Sequence, residues 1–491
     1  MTPCQPAAAS RPLGNMESLL LTISNKGKPF GGDHMAMKLV LHLDFVDSVD
    51  RQLALRRAWQ ALHRQYPALG TTLEPREQAA HKELFASTFD AHTWDKATFV
   101  VLHELDDANS AFEVLGPSPT PKCHWLPASS EVLIQMSHWR IDGMGIFMLA
   151  HRFLTALAEI LRRGPETCCI ATYIDRLPIQ AHPLPPTLDS LAQEQKRRVQ
   201  NPPDLESAVD RLVGGFFQHI PSIVLPTRAD ACKTLPTASG HVTTRLDVHL
   251  TRKIFAARRA KGYSFTAAVH AALVRTTAKF PQHPFAKTYA SWYQVDVRKL
   301  LAHKAGFREQ DGCPFGVYIS AMPICVNILG LDEGRRVKCY DEIAREMTLC
   351  YSQDLSNILT ALDGGPVGLL DIEESWTKRV LPIWPTPRFP GYSQGQAPEL
   401  SSLGRLDRHV RHQYDSDDGC PRVVVKDAWV GVDMVNEDIL CHVWAWKDQL
   451  HLGASFNQSF FDKEFIAEVL SHVMNELLPG LGVRNSPRSS L

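Results

Sequence analysis

Alternation of apolar and polar side chains over residues 132–137 predicts a buried strand. The residues that follow change to helical spacing, with apolar side chains at Ile146, Ala150, Phe153, Leu157 and Ile160. A basic last turn, followed by Gly164 and Pro165, marks the end of this helix. The sequence therefore predicts a strand, a short polar loop and a long helix in succession.

The same two periodicities predict elements along the rest of the chain. Further strands are expected over residues 39–45, 98–105, 241–248, 289–297, 318–328, 439–446 and 450–456, the last two as a hairpin. Further helices are expected over residues 51–66, 205–219, 251–261, 264–280 and 462–478. Residues 382–395 are dense in proline, glycine and aromatic residues, which predicts a long loop.

Chain length sets the expected domain organisation. A chain of 491 residues is too long for one ordinary hydrophobic core, so two lobes are predicted. We expect a disordered N-terminus over 1–15, a first lobe over 16–222, a linker over 223–240, a second lobe over 241–480 and a flexible tail over 481–491.

Composition and charge narrow the class of protein. Hydrophobic residues make up 44% and charged residues 21% of the chain, as in ordinary globular proteins. The formal net charge is −1, which gives no argument for a nucleic-acid or an anionic membrane partner. No leader peptide is evident, and the longest apolar helix is interrupted by His151 and Arg152. A cytoplasmic monomer is the expectation.

The cysteines and the common catalytic motifs point to no cofactor. Eleven cysteines at irregular spacing predict free thiols rather than disulfides or a zinc site. A nucleophile elbow, a phosphate-binding loop and a complete dinucleotide fingerprint are all missing from the sequence. The run Gly143-Met144-Gly145 has Met148 where a dinucleotide loop needs its third glycine.

Candidate chemistry lies on the loop between the first predicted strand and helix, which carries His138, Asp142 and Gly143. A histidine held at a strand end can face a cavity in a fixed orientation, as general-base catalysis requires. A second segment, residues 291–300, is rich in aromatic and β-branched residues, which predicts a strand. Strand geometry would place Asp296 and Arg298 on one face of it. His138 and Asp142 lack further ligands nearby, so no metal is predicted.

Together the two segments resemble the signature of the chloramphenicol-acetyltransferase-like superfamily. That superfamily includes plant BAHD acyltransferases, peptide-synthetase condensation domains and fungal O-acetyltransferases. The signature residues are His138, Asp142 and Gly143 with Val295, Asp296 and Arg298. Residues 55–69 and 452–461 also resemble superfamily segments, so the similarity spans most of the chain. Within the superfamily, the chain most resembles the fungal trichothecene 15-O-acetyltransferase type.

The resemblance implies an α/β fold of two lobes, each a mixed sheet flanked by helices, with an active-site channel between them. His138 would be the general base at mid-channel. Asp142 would turn away from the imidazole and pair with Arg298, anchoring the loop, and Gly143 would allow a tight turn into the helix. Two side chains are possible oxyanion or substrate contacts: Ser402 and Asn457.

The implied function is an acyl-CoA-dependent O-acyltransferase that esterifies a secondary metabolite such as a trichothecene-type sesquiterpenoid. Acetyl-CoA would be the cosubstrate, with no bound cofactor and no covalent acyl-enzyme. Peptide-forming condensation domains usually carry a second histidine where this chain has Ser137, and the Asp-Phe-Gly-Trp-Gly motif of plant BAHD enzymes is absent. Two alternatives stay open: a condensation-type enzyme that uses carrier-protein thioesters or forms amides, and a non-catalytic binding member of the fold.

Overall fold

The computed structural model describes residues 10–45, 50–75, 82–86, 91–164, 184–192, 202–301, 316–329, 337–360, 366–383, 397–415 and 420–484. Within these residues the strands are β1 (Ser10–Pro12), β2 (Met37–Phe45), β3 (Thr71–Pro75), β4 (Lys82–Ala86), β5 (Phe99–Val101), β6 (Lys122–Leu126), β7 (Glu131–Met136), β8 (Ser239–Arg245), β9 (Thr288–Asp296), β10 (Ile319–Asn327), β11 (Leu359–Thr360), β12 (Pro366–Val367), β13 (Glu399–Arg405), β14 (Gln413–Asp415), β15 (Pro421–Val432), β16 (Leu440–Trp446) and β17 (Gln449–Asn457).

The helices of the described residues are α1 (Asn15–Asn25), α2 (Arg51–Gln65), α3 (Ala91–Thr98), α4 (Ala108–Val114), α5 (Gly143–Arg163), α6 (Leu188–Ala192), α7 (Pro202–Phe217), α8 (Val248–Ala260), α9 (Phe265–Ala278), α10 (Arg298–Leu301), α11 (Tyr340–Tyr351), α12 (Leu369–Ile383) and α13 (Lys463–Gly480). Four of the predicted helices begin where an acidic or hydroxyl side chain precedes the apolar run. Asp50, Asp142, Asp247 and Ser264 each accept a hydrogen bond from the helix N-terminus.

Contacts divide the chain into two compact units, each assembled from separated segments. The first unit comprises residues 1–192, 296–319 and 406–430, and the second comprises residues 193–295, 320–405 and 431–491. The predicted α/β class is confirmed, because each unit combines a mixed sheet with helices.

A six-stranded sheet in the order β14-β15-β2-β7-β6-β5 organises the first unit. Strands β2 and β7 are antiparallel, with Met37 opposite Met136, whereas β5 and β6 are parallel. Helices α2 and α5 pack against each other, and their contact includes Trp59 edge-to-face with Phe153. Full burial of large apolar side chains such as these contributes roughly 1.5–3 kcal/mol each. This core fixes the C-terminal end of β7, from which the candidate loop leaves.

The second unit contains the four-stranded sheet β13-β16-β17-β8. Strands β16 and β17 form the predicted hairpin, with Leu440 opposite Ser455, and β13 runs parallel to β16. Helix α9 packs against both α11 and α13. The apolar face predicted for the last helix, including Ile466, Val469 and Leu470, is buried in this unit.

Domain boundaries differ from those predicted. The expected linker, residues 223–240, is part of the second unit, because Ile223 N–H donates to Thr288 and Arg228 N–H donates to Phe460. Residues 10–12 of the expected disordered N-terminus pair with β4. Leu481, in the expected flexible tail, is buried, and residues 485–491 lie outside the described residues.

Two further predicted elements differ in extent from the structure. The strand predicted over 98–105 is limited to Phe99–Val101, because helix α3 extends to Thr98 and the chain turns at residues 103–104. The start of the predicted loop 382–395 belongs to α12, and residues 384–396 lie outside the description. Among described helices, α5 alone is long and apolar enough to cross a membrane, and 67% of its most apolar window is buried.

Candidate active site

The His138 loop is a tight connection between strand β7 and helix α5. Ser137 follows the strand in an extended conformation, and residues His138–Arg140 form one 3-10 turn. Asp142 then caps α5, with Oδ1 accepting a hydrogen bond of 2.8 Å from the Gly145 N–H. Both ends of the loop are therefore fixed by regular structure, as a catalytic group on a short loop requires.

His138 is half-buried, and its two ring nitrogens have different surroundings. Nδ1 is buried and makes no hydrogen bond to a described residue, whereas Nε2 is not enclosed. Burial lowers the pKa of His138 below its ordinary value of 6.5, against the opposing effects of its own backbone, Asp142, the Ile141 backbone and Asp33. The imidazole is therefore neutral at pH 7, with Nε2 able to accept a proton.

Asp142 is completely buried, and its carboxylate is bound by Arg298, the Tyr318 N–H and the Gly145 N–H. Arg298 donates from Nη2 to both carboxylate oxygens at 2.9 Å, and the Tyr318 N–H donates to Oδ2 at 2.7 Å. With the helix-cap bond from Gly145, the carboxylate accepts four hydrogen bonds. Every lone pair of a buried carboxylate needs such a partner. The ion pair expected between Asp142 and Arg298 is thus present.

Arg298 is held by two carboxylates, one buried and one half-exposed. Its Nη1 and its backbone N–H both donate to Asp296 Oδ1 at 3.1 Å. Burial alone lowers the pKa of Arg298, but Asp142 and Asp296 outweigh burial and raise the pKa above its ordinary value. The guanidinium also lies over the Tyr318 ring, 5.1 Å from its centroid. The group is therefore charged at every pH at which the protein folds.

The structural reason for the Asp296–Arg298 proximity differs from the prediction. Strand β9 ends at Asp296, and Arg298 begins the short helix α10, so a turn rather than a shared strand face brings them together. Residues 296–319 also belong to the first unit rather than to a second lobe. The Asp142 N–H donates to the Gly316 carbonyl, which helps to tie this segment to the His138 loop.

Gly316 is required by its conformation, whereas Gly143 is not. Gly316 has φ of 141°, and a Cβ at this position would lie 2.7 Å from the Tyr318 ring. Gly143 is the first residue of α5 and does not adopt a positive φ, so its role in the tight turn into the helix stays a prediction.

The two candidate oxyanion side chains, Ser402 and Asn457, both lie in the second unit. Asn457 is fully buried, and its amide N–H groups donate to the carbonyls of Thr237 and Met434 at 2.8 and 2.7 Å. Both donors are therefore used, which corrects the expectation for Asn457. Ser402 is exposed and accepts a hydrogen bond from the Thr266 hydroxyl at 2.9 Å, leaving its own hydroxyl proton available.

Sequence reasoning missed Asp33, a buried carboxylate beside the loop. It accepts hydrogen bonds from the hydroxyls of Ser24 and Ser137, and Ser137 directly precedes His138. The available signal was the run Gly31-Gly32-Asp33-His34, in which a turn precedes an acid and a base. Among described residues, no group of three His, Cys, Asp or Glu side chains could hold a metal ion.

Comparison with known proteins addresses the fold and the relatives. No family model matches the chain. The loline biosynthesis cluster 1 transcription factor lolU1 of Epichloe uncinata is 25% identical over 500 residues, covering 99% of this chain and 97% of the relative. Acetyltransferase pigO of Monascus ruber is 22% identical over 487 residues, covering 98% of each.

Two solved structures superpose along nearly the whole chain. TRI3 trichothecene 15-O-acetyltransferase from Fusarium sporotrichioides gives a TM-score of 0.71 at 13% identity, covering 98% of this chain and 97% of that one. The first condensation domain of the calcium-dependent antibiotic synthetase gives 0.62 at 14% identity, covering 97% and 98%. The chain has the chloramphenicol-acetyltransferase-like fold. The predicted resemblance to that fold, and to the trichothecene acetyltransferase type within it, is confirmed.

Proposed function

We propose that the protein is an acyl-CoA-dependent O-acetyltransferase that esterifies a hydroxyl group of a secondary metabolite such as a trichothecene-type sesquiterpenoid. The single observation that carries the proposal is the half-buried His138, with lowered pKa, an open Nε2 and a loop fixed by the Asp142–Arg298 pair. The acetyltransferase names of pigO and TRI3 support the same reaction class.

The reaction needs one base and no covalent intermediate. Nε2 of His138 takes the proton of the acceptor hydroxyl while the oxygen attacks the thioester carbonyl. The new C–O bond forms, the C–S bond breaks, and the imidazolium returns the proton to the departing CoA thiolate. General-base assistance of this kind is worth roughly 10²–10⁴-fold in rate. Acetyl-CoA is the cosubstrate of this reaction.

The names of the relatives disagree, since lolU1 is called a transcription factor. The formal net charge of −1 gives no electrostatic reason for DNA binding, which depends on basic groups that neutralise phosphates. A neutral, half-buried imidazole anchored through a buried ion pair has a direct use in acyl transfer. We therefore favour the enzyme and propose that it acts as a cytoplasmic monomer on a small-molecule alcohol.

Incubation with radiolabelled acetyl-CoA and a panel of terpenoid and polyketide alcohols and amines tests the proposal. We expect label in an ester of one class of alcohol, with release of one free CoA thiol for each ester formed. His472→Ala, which removes a half-exposed histidine from α13, is the matched control and should give the same yield.

Other outcomes of this incubation would contradict the proposal. Transfer only from an acyl carrier-protein thioester, or only to amines, would indicate a condensation-type enzyme. CoA binding by calorimetry without any labelled product across the panel would indicate a non-catalytic member of the fold.

A further inference from the structure

We propose that Asp33 is a positioning residue for His138. Asp33 holds the end of the catalytic loop that precedes His138, whereas Asp142 holds the end that follows it. The inference rests on the proposed function, because it assigns Asp33 a role in the same acyl transfer. Its basis is a buried carboxylate bound by two serine hydroxyls, one of which belongs to the residue before His138.

Asp33 has little access to solvent and is bound at both oxygens. Asp33 is 8% exposed. Its Oδ1 accepts a hydrogen bond from the Ser24 hydroxyl, and its Oδ2 accepts one from the Ser137 hydroxyl. Ser24 and Ser137 are also buried. Because a buried carboxylate is stable only with such donors, its position and those of the serines determine one another. Ser137 cannot move without breaking this contact.

The carboxylate itself is placed by the turn that follows helix α1. The Gly32 N–H donates to the Gly27 carbonyl at 2.8 Å, and a Cβ at Gly27 would lie 2.5 Å from Gly32 and 2.8 Å from the Asp33 nitrogen. The His34 N–H then donates to the Ser24 carbonyl. Helix α1 also packs against the His138–Arg140 turn. The loop is thus supported by a helix as well as by one side chain.

Asp33 and Asp142 hold opposite ends of the same short loop. Asp142 fixes the residues after His138 through α5 and Arg298, and Asp33 fixes the residue before it. With the backbone on both sides held, the imidazole keeps one direction for Nε2. A misplacement of about 1 Å in a catalytic geometry can cost roughly 100-fold in rate.

Asp33 also supplies negative charge. Burial lowers the pKa of His138 and lowers that of Arg140, on the same turn, to about 10; the charge of Asp33 opposes both shifts. The neighbouring elements contribute His34, which burial keeps neutral with a pKa of about 3, and Glu17 of α1, which pairs with Arg11. Among these groups, Asp33 is the acid outside the loop that acts on the imidazole. Its loss should therefore lower the pKa of His138.

Asp33→Asn and Ser137→Ala separate the contact from the charge. In acetyl transfer, we expect both variants to lower kcat roughly 10–100-fold with little change in the KM for acetyl-CoA. Asp33→Asn alone should move the acidic limb of the kcat/KM profile, and the NMR titration of the His138 ring, to lower pH. Ser137→Ala removes the hydroxyl contact but leaves the Asp33 charge in place. It therefore still tests the inference if Asp33→Asn does not fold.

Asp354→Asn is the matched control, since Asp354 also accepts the hydroxyl of a serine, Ser356, but on an exposed turn of the second unit. It should match the unmodified protein in kcat and in pH profile. Unchanged kcat and an unchanged His138 titration in both test variants would overturn the inference while transfer by the unmodified protein still supports the proposed function. Absence of any transfer by the unmodified protein would overturn both.

Discussion

At the residue scale, the Asp142–Arg298 pair is the most buried ionic contact of the candidate site. The Asp142 carboxylate has no exposed surface, and the Arg298 side chain is 6% exposed. Removing one member of a buried ion pair leaves the other charge without compensation, and this effect exceeds the value of the pair itself. The pair therefore matters for folding as well as for the orientation of His138.

We predict that Asp142→Asn lowers the free energy of unfolding by roughly 3–5 kcal/mol, because Arg298 then remains charged and buried beside a neutral amide. Urea unfolding followed by circular dichroism measures this loss. Asp296→Asn is the control, since Asp296 contacts the same guanidinium from a side chain that is 37% exposed, and about 1 kcal/mol or less is expected. Equal losses in the two variants would contradict this view of the pair.

His138, Asp142 and Arg298 could be predicted because the residues form short local patterns that resemble a known signature. Asp33 could not, because its contact with Ser137 spans 104 positions and nothing in either segment specifies the other. The prediction for Asn457 was wrong for a related reason. Its chemical type suited an oxyanion contact, but its donors are used by backbone carbonyls, including that of Thr237, 220 positions away.

At the element scale, residues 316–318, which lead into β10, bring the Tyr318 N–H to Asp142. Gly316 makes this connection possible, since its φ of 141° is strained for any residue with a Cβ. The start of β10 and the His138 loop therefore stabilise each other.

We predict that Gly316→Ala lowers the free energy of unfolding by roughly 1–3 kcal/mol, because the backbone is strained and the new Cβ contacts the Tyr318 ring. Gly214→Ala is the control, for which we expect the opposite change in the free energy of unfolding. Gly214 lies in α7 with open space at its Cβ position, so alanine should stabilise the helix by about 1 kcal/mol or less. Thermal and urea unfolding of both variants check the prediction, which fails if Gly316→Ala is as stable as the unmodified protein.

Elements with a long, uninterrupted periodicity of apolar residues were predicted well. Short strands and strands that pair with distant parts of the chain were not. Helix α5 and the β16–β17 hairpin agree closely with their predicted bounds because local patterning determines them. Helix α1 is not among the predicted helices, although its apolar side chains are core residues such as Leu19, Leu20 and Ile23. Strand β13 pairs with β16 and strand β15 with β2, far along the chain, and β14 is only three residues long, so no local pattern identified these strands.

At the scale of the whole molecule, each unit is built from segments that are separated in sequence. Residues 296–319 and 406–430 join the N-terminal part of the chain, and residues 193–222 join the C-terminal part. Chain length predicted two units. A division of the sequence into two consecutive halves could not assign these segments, because each belongs to the unit formed mainly by the other half of the chain. Their assignment depends on tertiary contacts such as Lys426 with Asp44, at 2.8 Å.

Buried histidines predict a loss of stability in mild acid. Burial lowers the pKa of His34, His241 and His270 to about 3 and of His63 and His124 to about 4. The unfolded chain binds protons at these side chains below pH 6.5, whereas the folded protein does not until about pH 4. The free energy of unfolding should therefore fall between these values, by up to roughly 1.4 kcal/mol per pH unit for each histidine.

Urea unfolding at pH 7, 6 and 5 measures this dependence. A free energy of unfolding that stays constant over this interval would contradict the neutral, buried state of these five side chains. Carboxylates with lowered pKa, such as Glu159, affect stability mainly at lower pH. Burial raises the pKa of Glu399 to about 8, so this one carboxyl opposes the histidines over the interval but is outnumbered by them.

The central claim is that His138 is the base in direct acyl transfer, and the turnover of His138→Ala with acetyl-CoA and the identified acceptor tests it most directly. We expect kcat to fall by roughly 10²–10⁴-fold, with unchanged circular dichroism and unchanged affinity for CoA, because only the proton-accepting group is removed. If His138→Ala instead turns over within a few-fold of the unmodified protein, the imidazole is not the base and the account is wrong.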